Sequence, residues 1–448
     1  MTTTKLLCIA VVIAFVLVAA RFAGWATAFV SAYVLTLSGI TTALYIGPTT
    51  SVHYGIASGA PGISLADVVL IGALISIWAN SGRLQISWLL LIFGLPALTL
   101  LLTSWGNTNE QWSGLQLYLT ALISFGVGRW ISENLDDNAG VFLAGASLAA
   151  GALQLVVTVA QSRGTMLLAA QGPDVKQWIH SERMVGLYAH PSVLGKTVFL
   201  LLCILLPLTA SHVAATRRMA YLAIAFGSVA TLLTLSRANT VAIVLAIVIW
   251  AFIGGRATSI AQRLTVVAAA GVAVVLTTHS FSRLELRQLQ DPEGGARKYL
   301  LSNGLEQITR EPFIGTGPNY YSEYAGRYDH LVASGFPLHN SFLFPAAELG
   351  IPLAIVLFLP MIMALTESIK RFSAAKGFDA RSAAFWAVLP GLFIIAWTGW
   401  GMAAKETMPL WFFAFGFLAA RSATNSESPR EGRRTTAAKT PPVRLGLS

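Results

Sequence analysis

Thirteen apolar stretches divide this chain, at roughly 5–20, 24–45, 66–80, 86–104, 114–130, 139–160, 192–209, 219–236, 239–254, 264–279, 341–365, 383–403 and 406–420. They are continuous runs, without the 3.6-residue or 2-residue spacing that gives a water-facing element one polar side. Most are long enough to cross a hydrocarbon core about 30 Å thick. Backbone polar groups cannot be left unpaired in lipid, and the runs lack the alternation of a barrel strand, so each is expected to be a helix. Composition agrees: 55% of residues are hydrophobic and 11% charged, with mean hydropathy +0.66, whereas soluble domains carry about 25% charged residues. A cytoplasmic enzyme, a nucleic-acid binder and a disordered scaffold are excluded. The expected fold class is all-α, a polytopic integral membrane protein with about 12–13 transmembrane helices and one large extracytoplasmic loop.

In such a chain the net charge of +10 reports orientation before it reports a partner, because Lys and Arg gather in cytoplasmic loops. The links holding Arg217 and Arg218, Arg256 and Arg263, and Lys370, Arg371, Lys376 and Arg381 are basic and alternate with links poor in Lys and Arg. They are assigned to the cytoplasm. The stretch from Arg421 to Ser448 has six Lys or Arg against two Glu and is rich in Ser, Thr and Pro, which reads as a disordered basic cytoplasmic tail. The first apolar run resembles a signal peptide, with Lys5 ahead of it and Ala19 and Ala20 near its end, but the helices that follow favour an uncleaved first span. The N-terminal half is less consistent: thirteen crossings with the C-terminus inside would put Lys5 and the N-terminus outside, so one of the first six segments is expected not to cross fully. Cys8 and Cys203 both lie within apolar runs and read as small hydrophobes.

By the same parity two long links lie outside, about 161–191 and 280–340. Between Ser280 and Asn340 there are six Lys or Arg and seven Asp or Glu, more than a quarter of all charges in about a seventh of the chain. That concentration marks the second link as a small external subdomain and the place for chemistry. Three domains are expected: N-terminal transmembrane helices over 1–160, a catalytic membrane region over 161–420 that includes the loop, and the tail over 421–448. Within the loop, Asp291-Pro292-Glu293-Gly294-Gly295 reads as a turn leading into a helix over 296–310. Leu301, Leu305 and Ile308 share one face of that helix, with Arg297 one turn earlier. Gly315-Thr316-Gly317-Pro318 reads as a tight loop whose backbone amides can approach a ligand. Tyr320, Tyr321, Tyr324 and Tyr328 suggest a surface for stacking on sugar or seating at the interface.

Three side chains stand out at one membrane face: Arg183 in the first link, Arg297 in the second, and His339 beside Asn340 where the second link re-enters the membrane. Guanidinium groups bind phosphate oxygens through paired hydrogen bonds and keep their charge, so two of them can neutralise a diphosphate. A histidine can take a proton from an attacking hydroxyl. Arg237, closing the run Thr234-Leu235-Ser236, is an intramembrane charge of the kind usually kept for a reason. Tyr299 and Asn340 are further helpers. Lys196 near a helix start and the Lys405-Glu406 pair in the last external turn could line a cavity, but a neighbouring opposite charge is an adequate explanation for them. His53, His180, His190 and His330 lack metal-ligand spacing, and no metal or other cofactor is required.

Taken in order, these features resemble the O-antigen ligase and polymerase superfamily of bacterial membrane glycosyltransferases over about residues 180–365. The resemblance rests on Arg183-Met184-Val185-Gly186-Leu187-Tyr188-Ala189-His190-Pro191, on Leu235-Ser236-Arg237, and on Arg297 ahead of Glu311-Pro312-Phe313-Ile314-Gly315-Thr316-Gly317. It ends with His339-Asn340-Ser341-Phe342-Leu343 and Glu348-Leu349-Gly350. It implies a C-type glycosyltransferase-like fold in the bacterial inner membrane. It also implies a polyprenyl-diphosphate-linked glycan donor and a glycan, lipid or protein acceptor, with no nucleotide sugar and no metal. Arg183 and Arg297 would hold the diphosphate and His339 would orient or deprotonate the acceptor, with Arg237, Asn340, Tyr299, Gly315 and Gly317 lining the substrate. Ser192 stands where the family often has Asn after the Pro. A polysaccharide polymerase of the same superfamily fits these residues equally, and a secondary transporter or lipid-glycan flippase is the rival from another class.

Overall fold

The computed structural model describes residues 3–40, 45–46, 56–57, 59–81, 87–166, 173–254, 295–334, 336–374 and 378–420. The apolar run expected at 264–279, the loop entry from Asp291 to Gly294, the basic links at Arg256, Arg263 and Lys376, His53 and the tail from Arg421 lie outside the described residues.

The chain is all-α and builds a multi-pass membrane protein. Its helices are α1 (Thr3–Leu35), α2 (Leu65–Ser81), α3 (Ser87–Thr103), α4 (Asn109–Glu133), α5 (Asp137–Ser162), α6 (Pro173–His180), α7 (Pro191–Thr209), α8 (Ala214–Leu232) and α9 (Arg237–Ile253). They continue with α10 (Gly295–Arg310), the short α11 (Tyr321–Ala325) and α12 (His330–Ala333), then α13 (Leu343–Ala374), α14 (Ala380–Thr398) and α15 (Met408–Ala419). A two-residue antiparallel ladder, Tyr45–Ile46 with Ile63–Ser64, is the strand pairing among the described residues. Among the described residues, five helical segments are long and apolar enough to cross a bilayer, and four shorter apolar helices accompany them.

Capping residues set the starts. Thr108 and Gln111 form a capping box on α4, Asp136 accepts from Ala139 N on α5, and Asp379 accepts from Ser382 N on α14. Each satisfies amides that the first helical turn leaves over. The first two apolar runs are joined in α1, where two helical stretches meet at Gly24 with φ 78° and ψ 161°. The 341–365 run extends to Ala374 and breaks in the same way at Gly350, with φ 73° and ψ 163°.

At the centre stand α7 and α15. Every residue of α15 is buried, and so is every residue of α7 except Ser192. Helix α15 crosses α4 at backbone contact. A Cβ on Gly128 would stand 2.0 Å from Phe413 O, and one on Gly416 would stand 2.0 Å from Phe125 O. Small residues at such a crossing let backbones pack where lipid gives helices no hydrophobic drive to associate.

Candidate active site

The site lies at one end of the bundle, where α7 and α9 begin, α13 begins and α14 ends. Its first wall is the turn from Arg183 to Pro191, and two buried glutamines of α5 hold that turn. Gln161 Oε1 accepts from Val185 N (3.1 Å) and Gly186 N (3.0 Å), and its Nε2 donates to Gly186 O (2.7 Å). Gln154 Oε1 accepts from Leu187 N (3.1 Å), while its Nε2 donates to Ser38 O (3.0 Å). Gly186 sits at φ +62°, and any side chain there would meet Gln154 Oε1 at 2.3 Å. The Tyr188 hydroxyl donates to Ser38 O at 2.9 Å. Pro191 opens α7, and His190 caps it through Nδ1, which accepts from Ser192 N at 3.1 Å. Each signature residue of the turn therefore has a mechanical part, and Arg183 is left reaching along it. The Arg183 guanidinium lies over the Trp178 ring, 4.8 Å from its centroid, and Nε donates to Thr234 O at 3.4 Å. Trp178 in turn meets the His190 ring edge-on at 4.9 Å.

The second wall is the Thr234–Arg237 turn. Leu235 takes φ 51°, Met184 N donates to Leu233 O, and Asn239 Nδ2 bridges Ser236 Oγ and Ser192 O, both at 2.9 Å. Arg237 is the exposed first residue of α9, one turn from that bridge.

The third wall comes from α10 and the 336–343 segment. Helix α10 runs from Gly295 to Arg310, close to the expected 296–310, but its inward face differs from the expected one. Leu300, Gly304 and Gln307 are buried while Leu305 is exposed, because Gly304 is the position that packs on Leu338. Arg297 falls one turn before Leu300 on this face, at the exposed end of the helix. Tyr299 is exposed. His339 Nδ1 lies 2.7 Å from Pro337 O. A carbonyl only accepts, so Nδ1 carries the hydrogen and the Nε2 lone pair is the one left for chemistry. Asn340 Oδ1 caps α13 by accepting from Phe342 N (2.9 Å) and Leu343 N (3.0 Å), and its buried Nδ2 has no partner among the described residues. Ser341 ties the segment to the turn after α14: its Oγ donates to Gly399 O (2.6 Å), and its N donates to Ala396 O (2.8 Å).

Electrostatics link these walls. His339 is held below its ordinary value, first by burial and then by the positive charges of Arg297 and Lys196, against the raising effect of its bond to Pro337. His190 is pushed down to about 3, first by burial and then by Lys196, Arg183 and His339. Both imidazoles are therefore neutral at neutral pH, and Arg183 and His190 of the first wall, Arg297 and His339 of the third, and Lys196 of α7 form one linked set of five basic side chains. Arg183 thus acts on His190, Arg297 acts on His339, and the two imidazoles act on one another. Lys196 acts on both imidazoles, and His190, which the sequence marks only as lacking metal-ligand spacing, is one of them. Lys196 has no opposite charge paired with it among the described residues, so the expected structural explanation for it fails. A lysine early in an apolar run was the signal that could have found it.

The glycine loop differs from its expected use. Gly315 N donates to Glu311 O, Thr316 N to Ala347 O and Gly317 N to Glu348 O, and Ile351 N donates back to Pro312 O. These amides are taken up in repairing the helix break at Gly350, where a Cβ would stand 2.3 Å from Phe313 O. Gly315 and Gly317 thus offer no amide to a ligand. Glu348, buried in the same joint, accepts from Tyr118 Oη (2.7 Å) and Asn319 N (2.8 Å). The four tyrosines do not form one surface either: Tyr321 is buried against Phe344, whereas Tyr328 is exposed with Arg310 over its ring at 5.3 Å. No group of His, Cys, Asp and Glu among the described residues could hold a metal ion.

Residues 197–358 match the family model of the O-antigen ligases. That segment is similar to the O-antigen ligases. The match spans Arg237, Arg297, Tyr299, Gly315, Gly317, His339 and Asn340, and it begins just after Lys196. A search of the curated proteins finds no match. The apolar helices give a multi-pass membrane protein, and its 197–358 segment is what carries the likeness to the O-antigen ligases.

Proposed function

We propose that the protein is a glycan ligase that moves a glycan from a polyprenyl diphosphate to an acceptor hydroxyl at the outer face of the inner membrane. One observation carries the reading: a neutral histidine, oriented by a backbone carbonyl, stands among cationic side chains at one end of a membrane bundle. In this reaction the acceptor oxygen bonds to the anomeric carbon as the bond from that carbon to the diphosphate oxygen breaks. His339 Nε2 takes the acceptor's proton, and Arg297 and Arg183 stabilise the charge that grows on the leaving diphosphate. Attack from the side opposite the leaving group inverts the anomeric centre. Arg237 and Asn340 line the same end, and Tyr299 is the exposed neighbour of Arg297. The arrangement calls on no metal, because the guanidinium groups supply the positive charge.

The test uses full-length protein in vesicles with a short polyprenyl-diphosphate glycan and a crude envelope extract as acceptor, with released polyprenyl diphosphate read by mass spectrometry. Release by wild type and its loss in Arg297→Ala and His339→Ala proteins of normal insertion supports transfer. A single mass increment identifies a ligase, and a ladder identifies a polymerase. Donor found intact in the opposite leaflet, with no release, overturns the reading in favour of transport.

A further inference from the structure

Lys196 lies one turn into α7, 5% exposed. An ammonium carries three donors. Among the described residues one is met, by Ser192 Oγ at 3.2 Å, and no carboxylate pairs with the charge. The side chain runs into the turn between α14 and α15. A Cβ added to Gly401 would stand 2.4 Å from Lys196 Nζ, and one added to Gly399 would stand 3.3 Å from it. Gly399 O accepts from Ser341 Oγ and Gly401 O from Thr407 Oγ1, and neither is hydrogen-bonded to Lys196 among the described residues. Ser341 also fixes the turn to the segment bearing His339, two residues away. A buried cation with unmet donors and no counter-charge is costly. The cost is removed when an anion arrives.

We propose that Lys196 is a further phosphate-binding residue of this site, contacting the diphosphate of the lipid-linked donor beside His339 and tethered by Ser192. This rests on the glycan-transfer reading for its substrate class. The tether has a defined polarity. Ser192 Oγ accepts from Lys196 and stands 3.0 Å from His190 Nδ1. That nitrogen accepts from Ser192 N as the helix cap, so His190 is neutral and adds no second charge beside the ammonium. Ser192 thus holds Lys196 in place from one side while the Gly399–Gly401 turn closes the other. Asn340 Nδ2, buried and without a partner among the described residues, is a second unmet donor next to His339 in the chain. With Lys196 it points to an anionic guest.

The experiment titrates polyprenyl diphosphate and polyprenyl monophosphate, both without glycan, into the full-length protein in vesicles, with tryptophan fluorescence as the readout. Donor turnover is measured alongside. Wild type is expected to bind the diphosphate more tightly than the monophosphate. Lys196→Met, close in length and uncharged, is expected to weaken diphosphate binding about tenfold and to raise the donor KM, with a smaller effect on the monophosphate. Ser192→Ala keeps the charge but frees it, and is expected to raise the donor KM a few-fold with unchanged thermal stability. It also serves if Lys196→Met fails to insert. Unaltered diphosphate binding and KM in both variants overturns the inference. Failure of wild type to release polyprenyl diphosphate from a glycan donor overturns the transfer reading instead, and the binding titration then still decides the role of Lys196.

Discussion

The two ends of the bundle treat positive charge in opposite ways. At the far end, arginines are partnered within the chain itself. Arg129 pairs with Glu133 at 2.8 Å, Arg371 with Asp379 at 3.5 Å, and Arg381 donates to Ser132 O and Oγ at 3.1 and 3.0 Å. At the site end, Lys196 and Arg297 have no carboxylate partner among the described residues, and their fields fall on two neutral histidines. A fold that caps its arginines with acids at one end has the means to do so at the other. The unpaired charge at the site end is accordingly read as complementarity to a substrate, and the paired charge as structure.

Substitutions separate the two. The largest loss is expected for His339→Ala and Arg297→Ala, about 10²- to 10⁴-fold in donor turnover, the usual range for a general base or an electrostatic donor. Thermal stability in detergent should barely move. Next comes Gln161→Leu, which strips three hydrogen bonds from the Arg183 turn. It is expected to cost about 1–3 kcal/mol of stability for the buried groups left unpaired, and to lower turnover because the turn no longer holds Arg183.

The opposite end gives the reciprocal outcome. Arg381→Ala leaves buried oxygens of Ser132 without their donor and should lower the melting temperature while leaving the donor KM at the wild-type value. Transfer activity that falls in proportion to stability in every variant, whichever end it alters, would erase the distinction.

The pH responses are smaller and have definite signs. His339 is the base only when neutral, and its folded value lies below the ordinary 6.5. Turnover is therefore expected to hold through pH 6.5 and to fall at more acid pH. Removing the charge in Lys196→Met should move that acid limb to higher pH. His190 sits at about 3 when folded. As pH drops below 6.5 the unfolded chain takes up a proton that the folded chain refuses, so stability declines down to about pH 3. His190→Asn retains a capping side chain and should flatten that decline in a melting-temperature series.

Much of the fold was legible in the sequence because lipid leaves few options. An apolar run such as 192–209 or 66–80 can only be a helix, and the observed α7 and α2 match those bounds within a residue. What pattern could not give is partnership across the bundle. Gly315 and Gly317 look like ligand-binding glycines locally, but their use is decided by a helix break 35 residues away, where carbonyls of Ala347 and Glu348 lacked donors. Leu305 has the right spacing for the inward face of α10, but Gly304 is the position that fits against Leu338. Lys196 looked accountable by a neighbouring acid, and the turn that encloses it comes from 200 residues downstream. Arg183, Arg297 and His339 stand out in the sequence because charge and imidazole are rare in this chain and fall at links assigned to one side.

The most direct measurement is the release of polyprenyl diphosphate from a reconstituted lipid-linked glycan by wild type, by Arg297→Ala and by Arg381→Ala in parallel. Release by wild type and Arg381→Ala, and its loss in Arg297→Ala, is the expected result. Equal release by all three proteins, or equal loss in both variants, would contradict the assignment of the unpaired charge to the substrate.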